Sequence, residues 1–220
     1  QRELAGNLSA FEIMWGAYYR AVTGENGHRP PLSRDYPFYV VFQAEGSDPE
    51  VDDARFERVL GDALEEGLIS DAVIPKSATE TRAIWDIRED FEPALVKPPF
   101  YLYDVSLPIR DMAAYVSAVE ENVARRWSDG MCLALGHMAD GNLHFFVTPG
   151  EDGDHHAASD ACVYEPLRQY GGSISAEHGI GLEKISWLPH SKSAEEIQMM
   201  RVLKQSLDPN NILNPGRVLP

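Results

Sequence analysis

Two short stretches of the chain bring together residue types that do chemistry. The first is Gly136-His-Met-Ala-Asp-Gly-Asn-Leu-His-Phe-Phe-Val147. Asp140-Gly141 between apolar runs predicts a two-residue hairpin turn, which would set His137 opposite His144 in an antiparallel ladder. Opposed residues share a face, with Cβ atoms roughly 4.5–5.5 Å apart. At that spacing two imidazoles can converge on one divalent ion at about 2.0–2.1 Å. Asn142 falls on the same face, as a candidate substrate contact. The competing reading is an ordinary hairpin with two half-exposed histidines. The arrangement is not the HExxH helix of zinc proteases, so nothing points to proteolysis.

The second stretch is Gly171-Gly-Ser-Ile-Ser-Ala-Glu-His-Gly-Ile-Gly-Leu-Glu-Lys184. Its glycines permit positive φ and close backbone approach around Glu177-His178. A carboxylate beside an imidazole on such a loop could supply a third metal ligand, Glu177, and a general base, His178. An exposed surface loop with a local ion pair is the alternative. A phosphate loop is disfavoured, because no Gly-Lys-Ser/Thr is present. A third candidate is Arg88, at the edge of the apolar stripe Ile84, Trp85, Ile87, Phe91 and Leu95. Its guanidinium could receive a substrate carboxylate bidentately or pair with Glu92 one turn on.

The elements that must position these residues alternate along the chain. Periodicity predicts helices over about 9–22, 47–67, 77–95, 111–127 and 156–170, with a last helix capped by Ser193 and Glu196 and stopped at 208–211. Strands are expected at 37–43, 68–74 and 100–108, and two more between 131 and 147. Strand–helix–strand thus occurs twice, at 37–74 and 100–137. The expected fold is α+β, a ferredoxin-like antiparallel or mixed sheet with helices packed on one face, plus additional C-terminal helices. No linker forces a second domain, so residues 1–220 read as one.

Composition sets the outer bounds. The chain has 220 residues, 44% of them hydrophobic, enough for a core. Nineteen basic against 35 acidic residues give a formal charge of −16, which argues against a nucleic-acid or anionic-membrane surface. Residues 31–100 carry 16 Asp/Glu against 7 Lys/Arg, so this third of the chain holds more than half of the excess. That segment reads as a solvated acidic face. Apolar runs fall short of a membrane span. Cys132 and Cys162 read as buried free thiols of a reducing compartment. The start at Gln1, running straight into regular structure, reads as a piece of a longer polypeptide.

Several stretches taken together resemble a known family. They are Ala10-Phe-Glu-Ile-Met14, Pro37-Phe-Tyr-Val40, Ile84-Trp-Asp-Ile-Arg-Glu89, Tyr103-Asp-Val-Ser-Leu-Pro108, Gly136-His…Gly-Asn-Leu-His144, Gly172-Ser-Ile-Ser-Ala-Glu-His-Gly-Ile-Gly181 and Leu207-Asp-Pro…Ile-Leu-Asn-Pro-Gly216. In that order they resemble the C-terminal, substrate-binding domain of FAD-linked 2-hydroxyacid dehydrogenases of the vanillyl-alcohol-oxidase type. That group includes D-lactate dehydrogenases, the glycolate oxidase flavin subunit and D-2-hydroxyglutarate dehydrogenase.

The resemblance implies a separate N-terminal FAD-binding domain absent from this chain. It also implies a divalent metal, zinc by expectation, on His137, His144 and Glu177. His178 would be the general base, Arg88 a substrate-carboxylate contact, and Asn214 part of a motif near the flavin. A small 2-hydroxy acid is the expected substrate, with electron-transfer flavoprotein or quinone as acceptor. The expected location is the cytoplasm, extending to the face of the inner membrane, and a homodimer is open. Leu102, Glu92 and Phe146 stand where hydroxyglutarate-type relatives carry Lys, Thr and Asn. They shift the expectation toward an apolar or uncharged substrate side chain. The same departures allow a catalytically inactive binding or oligomerisation module. A stand-alone metal hydrolase is the remaining alternative.

Overall fold

A computed structural model describes residues 3–4, 6–96 and 98–219. The architecture is α+β, as expected, with an antiparallel sheet in the strand order β2-β1-β4-β5-β3. The strands are β1 (Leu8–Trp15), β2 (Phe38–Ala44), β3 (Tyr101–Ser106), β4 (Met131–His137) and β5 (Asn142–Thr148). The chain divides into two compact units, residues 1–96 with 135–139, and residues 97–134 with 140–220. Among the described residues no helix is long and apolar enough to cross a membrane.

In the first unit β1 lies between β2 and the end of β4, with Glu12 opposite His137. α1 (Gly16–Val22) follows β1 directly and buries Tyr18, Tyr19 and Val22. The Tyr19 ring stacks on Tyr39. α2 (Pro49–Glu65) starts at Asp48, whose side chain accepts the Val51 N–H. α3 (Ala78–Glu89) starts at Ser77, which accepts the Glu80 N–H. Both caps satisfy N–H groups that a first helical turn leaves unpaired.

Two sequence expectations fail in this unit. The helix expected over 9–22 is a strand followed by a short helix. Its apolar residues fit a 3.6-residue period, but Ile13, Met14 and Trp15 are all buried in a strand flanked on both sides. A short apolar run of that kind looks the same in either state. The strand expected at 68–74 does not form, and Leu68 stays 73% exposed. Ser70-Asp71 interrupts its apolar run.

In the second unit β3 and β5 pair antiparallel, Tyr101 opposite Val147 through to Ser106 opposite Asn142. The two-residue alternation of strands gives the pair two distinct faces. Tyr103, Val105, Leu143, Phe145 and Val147 form a buried apolar face. Leu102, Asp104 and Ser106 share the other face with Phe146, His144 and Asn142. α4 (Met112–Arg126) buries Met112, Tyr115, Val116, Val119 and Val123, one helical stripe. It packs on α5 (His156–Leu167), where Tyr115 donates to the Val163 carbonyl at 2.8 Å. α6 (Leu188–Ser191) and α7 (Ala194–Leu207) follow, and α7 carries the expected Ser193/Glu196 capping box. Cys132 and Cys162 are free and buried, and burial pushes both thiols above their ordinary pKa.

Candidate functional site

In the second unit the candidate residues occupy the polar face of β3 and β5 and the loop after α5; in the first unit they gather around a carboxylate. The hairpin that carries both histidines differs from the expected one. Four residues, Met138 to Gly141, separate β4 from β5. Gly141 has φ +79°, and a Cβ there would meet the Leu107 carbonyl oxygen at 2.2 Å. Only glycine fits this turn.

In the first unit Glu12 joins two of the candidates. It comes from β1 and is buried. Its Oε2 accepts from Arg88 Nε at 3.0 Å and lies 2.9 Å from Arg88 Nη2. Its Oε1 lies 2.8 Å from His137 Nδ1. Arg88 thus pairs neither with Glu92 nor along its own helix. α3 ends at Glu89, and Glu92 begins a short 3₁₀ turn beyond it. The carboxylate engages His137 through Nδ1, so Nε2 is the ring nitrogen turned to the other side. That is the arrangement of carboxylate–histidine–metal triads.

In the second unit Asp104 has the organising place, opposite His144 in the β3–β5 ladder. It is fully buried. Its Oδ2 accepts the backbone N–H groups of Ala176, Glu177 and His178 at 3.0, 2.9 and 2.9 Å, and the Ser175 hydroxyl at 3.3 Å. Lys184 Nζ stands 3.9 Å from the same oxygen. Burial alone would raise the Asp104 pKa. The His178 and Glu177 N–H bonds, with the charges of His178 and Lys184, bring it below the ordinary value. Burial lowers the pKa of Lys184, with Asp104 opposing.

The loop is also tied upstream, where Ser106 and Ser173 exchange two backbone hydrogen bonds of 3.0 and 2.7 Å. Gly172 permits that approach, since a Cβ there would meet the Leu167 side chain at 2.4 Å and the Ser106 carbonyl at 2.7 Å. The result is a convergent cluster. The His144 and His178 rings lie 6.0 Å apart, 25° from parallel. Ligand atoms of Asp104, His144 and His178 all fall within 4.8 Å of one another. His178 and Glu177 are exposed and His144 is half-buried. Asn142, at the end of the same face, is buried, and neither atom of its amide has a hydrogen-bond partner. Buried amides are ordinarily paired, so an open one on this face suits a ligand.

Residues 2–218 match the family described as FAD linked oxidases, C-terminal domain. The chain belongs to this family. It is 39% identical over its full length to a probable mitochondrial D-2-hydroxyglutarate dehydrogenase of Oryza sativa subsp. indica, covering 40% of that protein. It is 34% identical, over 97% of its length and 40% of the relative's, to the mitochondrial D-2-hydroxyglutarate dehydrogenase of Danio rerio. A putative mitochondrial D-lactate dehydrogenase of Schizosaccharomyces pombe is 35% identical over 94% of this chain and 42% of that protein. The chain therefore spans about two fifths of the length of these relatives.

The fold recurs in p-cresol methylhydroxylase with substrate bound, at TM-score 0.62 and 14% identity, over 95% of this chain and 46% of that one. It recurs in the 4-ethylphenol oxidase of Gulosibacter chungangensis, at TM-score 0.51 and 14% identity, over 96% and 48%. These oxidase domains share the α+β architecture described above.

Sequence reasoning did not single out Glu12, Asp104 or Lys184. Glu12 and Asp104 are acids inside apolar strand runs, which was the available signal, because a charge in a buried strand needs a partner. Asn214, the flavin-contact candidate, lies in an exposed turn after α7 with φ +48°, a left-handed conformation that asparagine tolerates.

Proposed function

We propose that the chain is the substrate-binding domain of an FAD-dependent dehydrogenase that oxidises a D-2-hydroxy acid to the 2-oxo acid. The observation that carries this reading is Asp104 gathering the Glu177–His178 backbone onto the strand face that bears His144. In this reading the FAD-binding domain lies outside these residues, and Asn214 reaches toward the flavin. Arg88 is the proposed contact for the substrate carboxylate, and the Asn142 amide is a further proposed substrate contact. His178 accepts the hydroxyl proton of the substrate as the C2–H pair leaves as hydride, so a C=O forms at C2 and two electrons depart. FAD supplies the hydride acceptor when bound.

His137, His144 and Glu177 are the proposed metal ligands, and zinc suits an imidazole–carboxylate set. The surroundings fit such a group. Each histidine has a buried acid on its Nδ1 side, Glu12 at 2.8 Å for His137 and Asp104 at 4.0 Å for His144. A divalent ion held there supplies Lewis-acid polarisation of the substrate oxygens.

The substrate class follows from the next rung of the same face. Leu102 and Phe146 stand directly opposite each other beside the Asp104–His144 pair. Leu102 is 56% exposed and Phe146 only 5%. An apolar pair there offers nothing to a distal carboxylate and favours a hydrophobic or uncharged substrate side chain. The test is anaerobic bleaching of the flavin of the intact protein by a panel of D-2-hydroxy acids. Apolar-chain acids should reduce it faster than D-2-hydroxyglutarate, and His178→Ala should slow reduction about 10²- to 10⁴-fold. A flavin that no member of the panel bleaches would favour a non-catalytic module instead.

A further inference from the structure

Asp104 Oδ1 is a buried carboxylate oxygen with no hydrogen-bond partner among the described residues. Its sister oxygen is crowded by three N–H groups and a hydroxyl. Leaving a buried acceptor open is costly, more so on a charged group. His144 Nδ1, from the directly opposed residue, stands 4.0 Å away. A shift of about 1 Å closes that gap to a charge-assisted bond of roughly 2.7–2.9 Å.

We infer that Asp104 is the positioning residue of the site, one oxygen holding the Glu177–His178 backbone while the other receives Nδ1–H of His144. The inference rests on the reading of His144 as a metal ligand and His178 as the base, and adds what sets both in place. A single side chain then fixes two variables. The loop oxygen decides where the backbone of 176–178 lies, and so where Glu177 and His178 begin. The strand oxygen decides the tautomer of His144, placing the proton on Nδ1 and the lone pair on Nε2, the atom a metal takes. An amide at position 104 cannot do both. If its oxygen accepts from the loop, its NH₂ faces His144 and demands a lone pair on Nδ1, which moves the proton to Nε2. The effect is therefore specific to the carboxylate, beyond the space it fills.

The test uses the intact flavoprotein and Asp104→Asn, with zinc affinity, flavin reduction and thermal melting measured together. The expected result is a 10- to 100-fold loss of zinc affinity, the usual scale for a ligand's supporting carboxylate, with slower flavin reduction. Zinc affinity within twofold of the parent overturns the inference, even if the variant melts at a lower temperature. A parent protein that binds no zinc would instead sink the metal reading itself, so the two failures are told apart. If Asp104→Asn does not fold, nitrogen NMR of the metal-free parent with labelled histidine decides, His144 being assigned by the signal lost in His144→Gln. A neutral ring protonated on Nδ1 supports the inference, and one protonated on Nε2 overturns it.

Discussion

Glu12 and Asp104 are both buried strand carboxylates beside a histidine, yet their environments are opposite. In the first unit each oxygen of Glu12 is taken, one by the Arg88 fork and one by His137. In the second unit one oxygen of Asp104 is crowded and the other open, and its nearest cation, Lys184, stands 3.9 Å away without a close ion pair. The first arrangement is closed. A guanidinium is always charged, and with two nitrogens on one Glu12 oxygen Arg88 holds Glu12 and through it His137. The second is held mainly by backbone N–H groups, which fix a loop in space and leave valence to spare at the reacting face.

Breaking the closed side should have the largest effect. Arg88→Met leaves Glu12 buried without its cation, and breaking a buried pair costs about 3–5 kcal/mol. Denaturant unfolding of the intact protein should show this as a lower midpoint at unchanged slope. Arg88→Lys keeps the charge but not the fork and should fall between the two. A Met variant as stable as the parent would mean that Glu12 is satisfied without Arg88. The guanidinium would then be available to substrate alone.

The open side is probed through specificity. Leu102→Lys puts a cation one rung from Asp104 and His144, opposite Phe146. A charged hydrogen bond contributes about 1.5–3 kcal/mol. The ratio of kcat/KM for D-2-hydroxyglutarate to that for an apolar D-2-hydroxy acid should therefore rise about tenfold to a hundredfold. An unchanged ratio would place the substrate side chain elsewhere and remove the Leu102–Phe146 pair from the binding surface.

The contrast also explains what the sequence could and could not say. His178, Glu177 and His144 were legible because each sits in a dense local pattern, a glycine-rich loop or a hairpin with its turn signal. The cap at Ser193 was legible for the same reason, since its partner is three residues away. Glu12 and Asp104 act over 125 residues to His137 and 74 to His178, and no local pattern announces such a partner. The missed strand at 8–15 has the same cause. Its burial comes from strands on both sides, a tertiary fact that overrides the helical period of its apolar residues. The two-residue turn expected at Asp140-Gly141 was too short because the Gly141 carbonyl is drawn to the Leu107 N–H, again a contact from outside the hairpin.

Gly172→Ala tests whether the loop needs its upstream tie as well as Asp104. The added methyl meets Leu167 and the Ser106 carbonyl below 3 Å, and such overpacking costs about 1–3 kcal/mol. Because the Ser106–Ser173 bridge sits on the β3 edge of the site, flavin reduction should fall together with stability. A variant that loses stability while retaining full activity would show that the Asp104 bonds alone hold Glu177 and His178.

Asp208 supplies the smallest and sharpest contrast, since it organises a loop as Asp104 does but with a cation directly on it. Its carboxylate accepts from the N–H groups of Ile212 and Leu213, each at 2.9 Å, and pairs with Lys204. The Lys204 bond, then those backbone bonds, outweigh the opposing effect of burial and hold its pKa below the ordinary value. A depressed folded pKa adds stability that is present above the unfolded value of about 3.9 and lost as pH falls through the folded one. The segment after α7, which carries Asn214, should therefore stay protected at neutral pH and loosen only below about pH 4. Hydrogen exchange at the Ile212 and Leu213 amides reads this directly. In Asp208→Asn these amides should exchange faster at neutral pH and lose the acid dependence, while exchange at 176–178 stays as in the parent. Faster exchange at 176–178 as well would mean that the two aspartate-held loops share one stability, and that the open carboxylate is no more independent than the closed one.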